Sequence, residues 1–226
     1  MEIIIADNSG FCFGVSRSVD LANEALESNK EKYTVGPLIH NPQLVKSYEK
    51  QGLKLITKKK ALDIKDSLIV IRAHGESADF KKALIENNNE ILDATCPVLN
   101  NIYKKIRQKE DEGYQVVIVG DREHPEIKAM DSYLKNGIIV TDETEAKNVK
   151  SEKPIYVVSQ TTNRKDFYYN IANTLKGNSG SVVIENTICN ATKLRQDSAK
   201  DLSKEVDCMI VVGGFNSSNT NKLYQV

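Results

Sequence analysis

The chain has 226 residues, with 31 basic and 31 acidic side chains and a formal net charge of zero. This balance disfavours nonspecific attraction to nucleic acid or to an acidic membrane surface. No stretch approaches the ~18 consecutive apolar residues that a membrane span needs, so we predict neither a span nor a nucleic-acid partner.

The N-terminus is typical of a strand and lacks the basic segment and cleavage site of a secretory signal. Short apolar runs then alternate with longer amphipathic runs, which predicts an α/β fold with parallel sheets built from βαβ units. Lys58–Lys60 is predicted to be a solvated loop. The predicted strands are 2–6, 33–36, 53–56, 67–71, 90–92, 115–119, 138–140, 154–158, 181–185 and 207–212. The predicted helices are 14–28, 41–51, 77–87, 97–112, 125–135, 142–148, 163–176, 190–204 and 217–224.

Three of the four cysteines stand where a strand-like run passes into a helix-like run. Cys12, Cys96 and Cys189 share this setting, at similar separations along the chain. A thiol at a helix N-terminus has its thiolate favoured by the helix dipole, so it is suited to bind a metal or to react. Cys208 lies inside an apolar run and is predicted to be a structural residue of a buried strand.

The repeated cysteine corner indicates one α/β unit used three times. We predict a first unit over 13–96, a second over 97–189, and an incomplete third over 190–226 that includes the N-terminal strand 1–12. Four cysteines in a reducing compartment are typically free, metal-bound or catalytic, and we expect a cytoplasmic protein.

The cysteine spacing argues against structural zinc, because the sequence has no paired C-x-x-C or H-x-x-x-H ligands. Three isolated thiolates suit an iron–sulfur cluster whose remaining iron is open to a substrate. A thiolate pocket of low metal specificity is the alternative.

All three histidines follow predicted strands. Loops after the carboxyl ends of strands form the ligand crevice of open α/β sheets, so His40, His74 and His124 are predicted to face such a crevice. Glu126 lies at a predicted helix start. It is either a partner of the helix dipole or a proton donor.

Two further corners between strand and helix are polar. One spans 159–163, and the other, over 213–220, has a glycine turn followed by small hydrogen-bonding side chains. Such corners cradle a phosphate group or simply cap a helix, and neither matches a P-loop or the dinucleotide fingerprint. With the histidines they indicate a small anionic ligand such as a diphosphate.

Eight motifs between residues 3 and 223 resemble, in order, the signatures of the 4-hydroxy-3-methylbut-2-enyl diphosphate reductases, the LytB/IspH family. They are G-F-C-F-G-V, V-G-P-L-I-H-N-P, R-A-H-G, D-A-T-C-P, E-H-P-E, S-Q-T-T, I-C-N-A-T and V-G-G-F-N-S-S-N-T-N. A single one of these motifs has low specificity, whereas eight in the family's order are highly specific.

The resemblance implies an oxidoreductase that removes an allylic hydroxyl with two electrons and protons, in the last step of the non-mevalonate isoprenoid pathway. The products would be isopentenyl and dimethylallyl diphosphate. The implied fold has three small α/β domains with parallel sheets in a pseudo-threefold arrangement around a central iron–sulfur cluster, the third domain being truncated. The implied electron donor is a ferredoxin or a flavodoxin.

The resemblance also implies roles for residues at the matching positions. Glu126 would donate a proton, and Thr161 would link it to the substrate hydroxyl. The implied ligands of a [4Fe-4S] cluster, with its fourth iron open to substrate, are Cys12, Cys96 and Cys189. The implied diphosphate contacts are His40, His74, Ser217, Ser218 and Asn219, with His124 beside them at the catalytic site.

One departure from the family concerns the end of the sequence. The family carries a further stretch after the N-S-S-N corner, with another serine that contacts the diphosphate, and the sequence stops before it. We therefore expect the chain as written to bind substrate more weakly and to lose its cluster quickly. Two alternatives to the reductase are a non-catalytic iron–sulfur redox sensor and a metal-free phosphate-binding α/β hydrolase.

Overall fold

The computed structural model describes residues 2–178 and 180–225, in which helices alternate with parallel strands. The helices are α1 (Phe13–Glu27), α2 (Pro42–Lys50), α3 (Lys58–Ala61), α4 (Ala78–Glu86), α5 (Pro97–Asp111), α6 (Pro125–Asp131), α7 (Glu143–Asn148), α8 (Lys165–Asn178), α9 (Asn190–Leu202) and α10 (Ser218–Tyr224). The strands are β1 (Lys32–Val35), β2 (Leu53–Ile56), β3 (Leu68–Ile71), β4 (Glu90–Asp93), β5 (Gln115–Val119), β6 (Ile138–Val140), β7 (Ile155–Ser159) and β8 (Val182–Ile184). The prediction of an α/β fold with parallel sheets is confirmed.

The chain divides into two compact units. The first unit is Phe11–Asn101, and the second unit comprises Met1–Gly10 and Ile102–Val226. Each unit contains one four-stranded parallel sheet, with strand order β2-β1-β3-β4 in the first and β6-β5-β7-β8 in the second. The identical order agrees with a repeated unit, while the boundaries predicted from the cysteines and the threefold arrangement stay predictions.

The sheet of the first unit is covered on both faces, as parallel sheets generally are. Every residue of β3 is buried. Leu68 and Val70 pack in a cluster with Ala22 of α1, whereas Ile69 packs in a second cluster with Leu84 of α4. The period-two alternation of a strand thus directs neighbouring apolar side chains into two separate cores.

The second unit buries its sheet in the same way. Val117 of β5 and Val157 of β7 pack in one cluster with Ile171 and Leu175 of α8. β3 is apolar throughout, and β5 and β7 consist of apolar and aromatic side chains apart from one terminal residue each, Gln115 and Ser159. The predicted site residues follow strands of the two sheets, in loops or at helix starts.

The structure differs from the predicted strands at both ends of the chain. Residues 2–6 and 207–212 form no strand, and Ile3 and Ile210 are 78% and 79% exposed. A strand requires a paired backbone, and within the described chain both sheets are completed by other strands. Cys208 is consequently exposed rather than part of a buried strand, which corrects its prediction as a structural residue.

The lysine run also differs from prediction. It forms the short helix α3, whose Ala61 is buried, and Lys58 makes an ion pair with the buried carboxylate of Glu76. Across the described residues, no helix combines the length and the apolar character that a membrane crossing demands.

Candidate active site

Cys12 and Cys96 occupy the starts of helices in the first unit. Cys12 is the N-cap of α1, with extended backbone angles (φ −80°, ψ 167°), and its side chain makes no capping hydrogen bond. Cys96 immediately precedes α5, and its N–H donates to the carbonyl oxygen of Ala73 at 3.0 Å. That bond fixes Cys96 next to the loop that contains His74.

Gly14 shows how closely the Cys96 thiol approaches α1. A Cβ atom added at Gly14 would lie 2.7 Å from Cys96 Sγ, so the first turn of α1 accommodates this sulfur only because the residue is glycine. Cys12 caps the same turn. Two predicted sulfur ligands are thereby placed around one helix start.

His40 and His74 lie together in the first unit. His40 follows β1 and His74 follows β3, and their ring centroids are 4.5 Å apart in an edge-on arrangement. Burial, followed by the charge of Arg72, holds the pKa of His40 below its usual value. The His40 imidazole is therefore neutral near pH 7.

Cys189 occupies the corresponding position in the second unit. It is the N-cap of α9 with extended backbone angles (φ −64°, ψ 135°) and no side-chain capping bond. Its N–H donates to the carbonyl oxygen of Thr161 at 2.9 Å. In each unit, the cysteine after the last strand is thus fixed by a backbone bond to the loop after the neighbouring strand.

Glu126 lies in the first turn of α6 and is only 2% exposed. Its two carboxylate oxygens accept from the backbone N–H of Thr161 at 2.6 Å and from the Thr161 hydroxyl at 2.8 Å. Burial raises the pKa of Glu126, and the Thr161 hydrogen bonds and the charge of Lys222 oppose that rise in part. A buried carboxyl with a raised pKa keeps its proton to higher pH than an exposed one and is suited to donate it to a reacting group.

His124 is the N-cap of α6. Its Nδ1 accepts a hydrogen bond from the backbone N–H of Glu126 at 3.2 Å. Because Nδ1 is an acceptor, the proton of the neutral ring is on Nε2. The same contact fixes the start of the helix that carries Glu126.

The chain is similar to known proteins over nearly its whole length. The sequence model of a family described as LytB protein matches residues 3–226. The chain belongs to the LytB family.

Relatives and solved structures agree with this assignment. The chain is 39% identical to 4-hydroxy-3-methylbut-2-enyl diphosphate reductases of Geobacter sulfurreducens and of Clostridioides difficile, covering 100% of the chain and 80% and 82% of these relatives. It matches a solved (E)-4-hydroxy-3-methyl-but-2-enyl diphosphate reductase, described as the terminal enzyme of the non-mevalonate pathway, with a TM-score of 0.81, 39% identity, and coverage of 99% and 80%. The E-1-hydroxy-2-methyl-but-2-enyl-4-diphosphate reductase of Plasmodium falciparum matches with a TM-score of 0.90, 28% identity, and coverage of 96% and 70%.

In this LytB-family chain, the polar corner at α10 packs on two neighbouring segments of the second unit. Ser217 Oγ caps the helix by accepting from the N–H of Thr220 at 3.3 Å. Ser218 Oγ lies 2.8 Å from Thr162 Oγ1. Asn219 Oδ1 accepts from Thr192 Oγ1 of α9 at 3.3 Å. The capping alternative therefore holds for Ser217, whereas the next two side chains tie α10 to the segments that contain Thr161 and Cys189.

The sequence interpretation missed two cationic residues beside predicted site residues, one in each unit. Lys222 of α10 donates to Asn163 Oδ1, and burial lowers its pKa to about 8. Its position four residues after Ser218 places both on one helical face, which was a usable signal. Arg72 lies in the R-A-H-G motif, lowers the pKa of His40 and pairs with Glu76 at 3.0 Å.

The residues around the cysteines fit an iron–sulfur cluster by their donor chemistry. The three cysteines stand at helix N-termini, and cysteine sulfurs are the ligands that iron–sulfur clusters use. The absence of a side chain at Gly14 leaves room for Cys96 Sγ beside the first turn of α1. The side chains of Cys12 and Cys189 are not engaged in capping, which leaves these thiols available as ligands.

Proposed function

We propose that this chain is a 4-hydroxy-3-methylbut-2-enyl diphosphate reductase. The allylic C–O bond of the substrate breaks, the hydroxyl leaves as water, and two electrons and two protons yield isopentenyl or dimethylallyl diphosphate. Support comes from the family match over residues 3–226 and from relatives that share 39% identity over the whole chain.

The proposed cluster ligands are Cys12, Cys96 and Cys189. When bound, a [4Fe-4S] cluster with one iron free of cysteine supplies electrons and a Lewis acid for the substrate hydroxyl. The chain contributes three sulfurs at helix N-termini, and the pseudo-threefold arrangement inferred from sequence is part of the same proposal. The proposed electron donor is a ferredoxin or a flavodoxin, and the proposed setting is the cytoplasm.

The observation that carries the proposal is the buried pair of Glu126 and Thr161. Loss of a hydroxyl as water requires a proton, and Glu126 is a carboxyl group whose pKa is raised by burial. Thr161 hydrogen-bonds to Glu126 through both its amide and its hydroxyl, and its carbonyl binds Cys189. The proton donor is thereby linked through one residue to a proposed sulfur ligand.

The residues that we propose to contact the diphosphate are hydrogen-bond donors without a permanent positive charge, rather than a cluster of lysines and arginines. His40 and His74 offer ring N–H groups from the first unit, and a diphosphate would favour their protonated forms. Hydroxyl and amide donors would come from the α10 corner. These residues are Ser217, Ser218 and Asn219, with His124 beside them.

The test is turnover by the anaerobically reconstituted protein, with reduced viologen as the electron donor. We expect Glu126→Gln to retain iron and substrate affinity while turnover falls by ~10²-fold or more, because an amide cannot donate the proton. The matched control is Glu123→Gln, three residues earlier, where an exposed carboxylate pairs with Lys128. This control should leave turnover unchanged.

Different outcomes identify the alternatives. A cluster spectrum that does not respond to the diphosphate substrate, without turnover, indicates a redox sensor. A colourless, iron-free protein that is active without a reductant indicates a hydrolase. Normal turnover in Glu126→Gln contradicts the proton-donor role while leaving the reductase activity in place.

A further inference from the structure

Lys222 is a largely buried cation of the second unit that no part of the proposed function uses. It lies on α10, one helical turn after Ser218. Its Nζ is 2.5 Å from Asn163 Oδ1 and 3.4 Å from Thr162 Oγ1. Both partners belong to the loop after β7 and directly follow Thr161.

The contacts of Lys222 continue into a small hydroxyl network. Thr162 Oγ1 lies 2.8 Å from Ser218 Oγ, and Gln160 Nε2 donates to these two oxygens at 3.1 and 3.4 Å. The loop after β7 thus holds both Ser218 and Lys222 of α10. Because Thr161 belongs to the same loop, its position is coupled to that of α10.

The ammonium group also has an electrostatic effect on the site. Its positive charge lowers the pKa of Glu126 against the effect of burial. Burial in turn lowers the pKa of Lys222 to about 8, while Glu126 and Asp121 act in the opposite direction. Among the described residues, the other charged groups that line the surrounding cavity of about 350 Å³ are Asp121 and Arg164, and Arg164 pairs with Asp166.

A buried ammonium is costly in folding terms, since its charge is removed from water. An apolar side chain of similar length would fill the space without that cost. The sequence nevertheless has a lysine at this position, directed at the loop beside the proposed proton donor.

We propose that Lys222 is a positioning residue for the reductase reaction. It holds Ser218 against Thr162 for diphosphate binding and places a positive charge near the Glu126–Thr161 pair. The inference rests on the proposed function, because both effects are expressed in the same reaction. It gives Lys222 no direct part in bond breaking.

The test compares Lys222→Met with Lys222→Arg in the reconstituted protein. For Lys222→Met we expect KM for the diphosphate substrate to rise by ~10-fold, because Thr162, which contacts Ser218, loses its own contact with the Lys222 ammonium group. The alkaline limb of the kcat profile should move to higher pH, because Glu126 without the nearby charge has a higher pKa and keeps its proton longer. Lys222→Arg should leave that limb near its wild-type position.

Two further variants distinguish a positioning role of Lys222 from a general loss of structure. Thr162→Val removes the hydroxyl link without changing a charge, so KM should rise while the alkaline limb stays in place. Lys204→Met, at an exposed lysine paired with Asp201, should change neither quantity. Thermal unfolding of Lys222→Met should show no loss of stability, since burying the ammonium is itself unfavourable.

The results that would contradict this inference differ from those that would contradict the proposed function. An active wild-type protein whose Lys222→Met variant has unchanged KM and an unchanged alkaline limb overturns the inference alone. A loss of activity that is equal at every pH and accompanied by lower thermal stability also overturns it, because that result describes structural support. A wild-type protein with intact cluster and no turnover overturns the proposed function itself.

Discussion

Thr161 and Cys189 are joined by a backbone hydrogen bond of 2.9 Å from the cysteine N–H to the threonine carbonyl. The first unit has the same bond between Cys96 and Ala73 at 3.0 Å. Each bond lies beyond the ends of two paired parallel strands, so the sheet and the segments that directly follow it set the position of the cysteine backbone. In the second unit, the residue that accepts this bond also binds Glu126.

Thr161→Val tests the hydrogen bond between the Thr161 hydroxyl and the carboxyl group of Glu126. The change removes the hydroxyl bond of 2.8 Å to Glu126 but retains the backbone bond. A hydrogen bond to the carboxylate favours its charged form, so losing it raises the pKa of Glu126 further. We expect turnover to fall by ~10-fold or more and its alkaline limb to move to higher pH, measured from kcat as a function of pH.

Thr161→Ser is the matched control, because serine retains the hydroxyl and loses only a methyl group. It should keep the pH profile of the wild-type protein. A valine variant with the wild-type profile would show that the hydroxyl bond has no influence on the protonation of Glu126.

The repeating part of the fold could be predicted from sequence because its strands are short, apolar and regularly separated. β3 and β5 are buried runs of this kind, and the helices between strands follow from amphipathic runs. The segments 2–6 and 207–212 are also short and mostly apolar, yet they form no strand. Composition reports the tendency of a segment to pair, whereas pairing itself depends on which strands lie beside it.

Part of the candidate site could be proposed from the sequence by position alone. His40 and His74 were proposed because each follows a predicted strand, and Glu126 because it lies at a predicted helix start. Lys222 was missed because its importance depends on burial and on contacts with Asn163 and Thr162, which are distant in the sequence. The close approach of Gly14 to the sulfur of Cys96 was equally out of reach, because the two residues are distant in the sequence.

The lowered pKa of His40 predicts a stability that depends on pH. The imidazole is less easily protonated in the folded chain than in the unfolded one, so the unfolded state binds more protons below pH ~6.5. Stability should therefore fall as the pH drops from 7 through this range. Inorganic diphosphate should reduce the fall, because a nearby anion favours the protonated ring.

The measurement is the thermal midpoint at pH 7.5 and 5.5, with and without diphosphate. His40→Gln is the reference, since glutamine does not titrate, and its midpoint should depend less on pH. An equal dependence in both proteins would assign the effect to other groups.

Cys96→Ser is expected to abolish stable cluster binding, because a hydroxyl is a poor substitute for a soft thiolate. Iron and sulfide content after anaerobic reconstitution is the measurement, so the result does not depend on turnover. Cys208→Ser is the control, as Cys208 is exposed and lies apart from the helix starts. Full iron content in Cys96→Ser together with loss in Cys208→Ser would reverse the proposed ligand assignment.

Gly14→Ala tests the close approach of the Cys96 sulfur to α1. The added methyl group would lie 2.7 Å from Sγ, well inside normal contact, so the sulfur or the helix start must move. Gly177→Ala is a matched control because its added Cβ meets no atom within 4 Å. We expect Gly14→Ala to lower iron content and to speed cluster loss in air, while Gly177→Ala behaves as wild type. If Gly14→Ala keeps both its iron and its rate of loss, the clearance beside Cys96 is irrelevant to the cluster, and the ligand proposal loses this support.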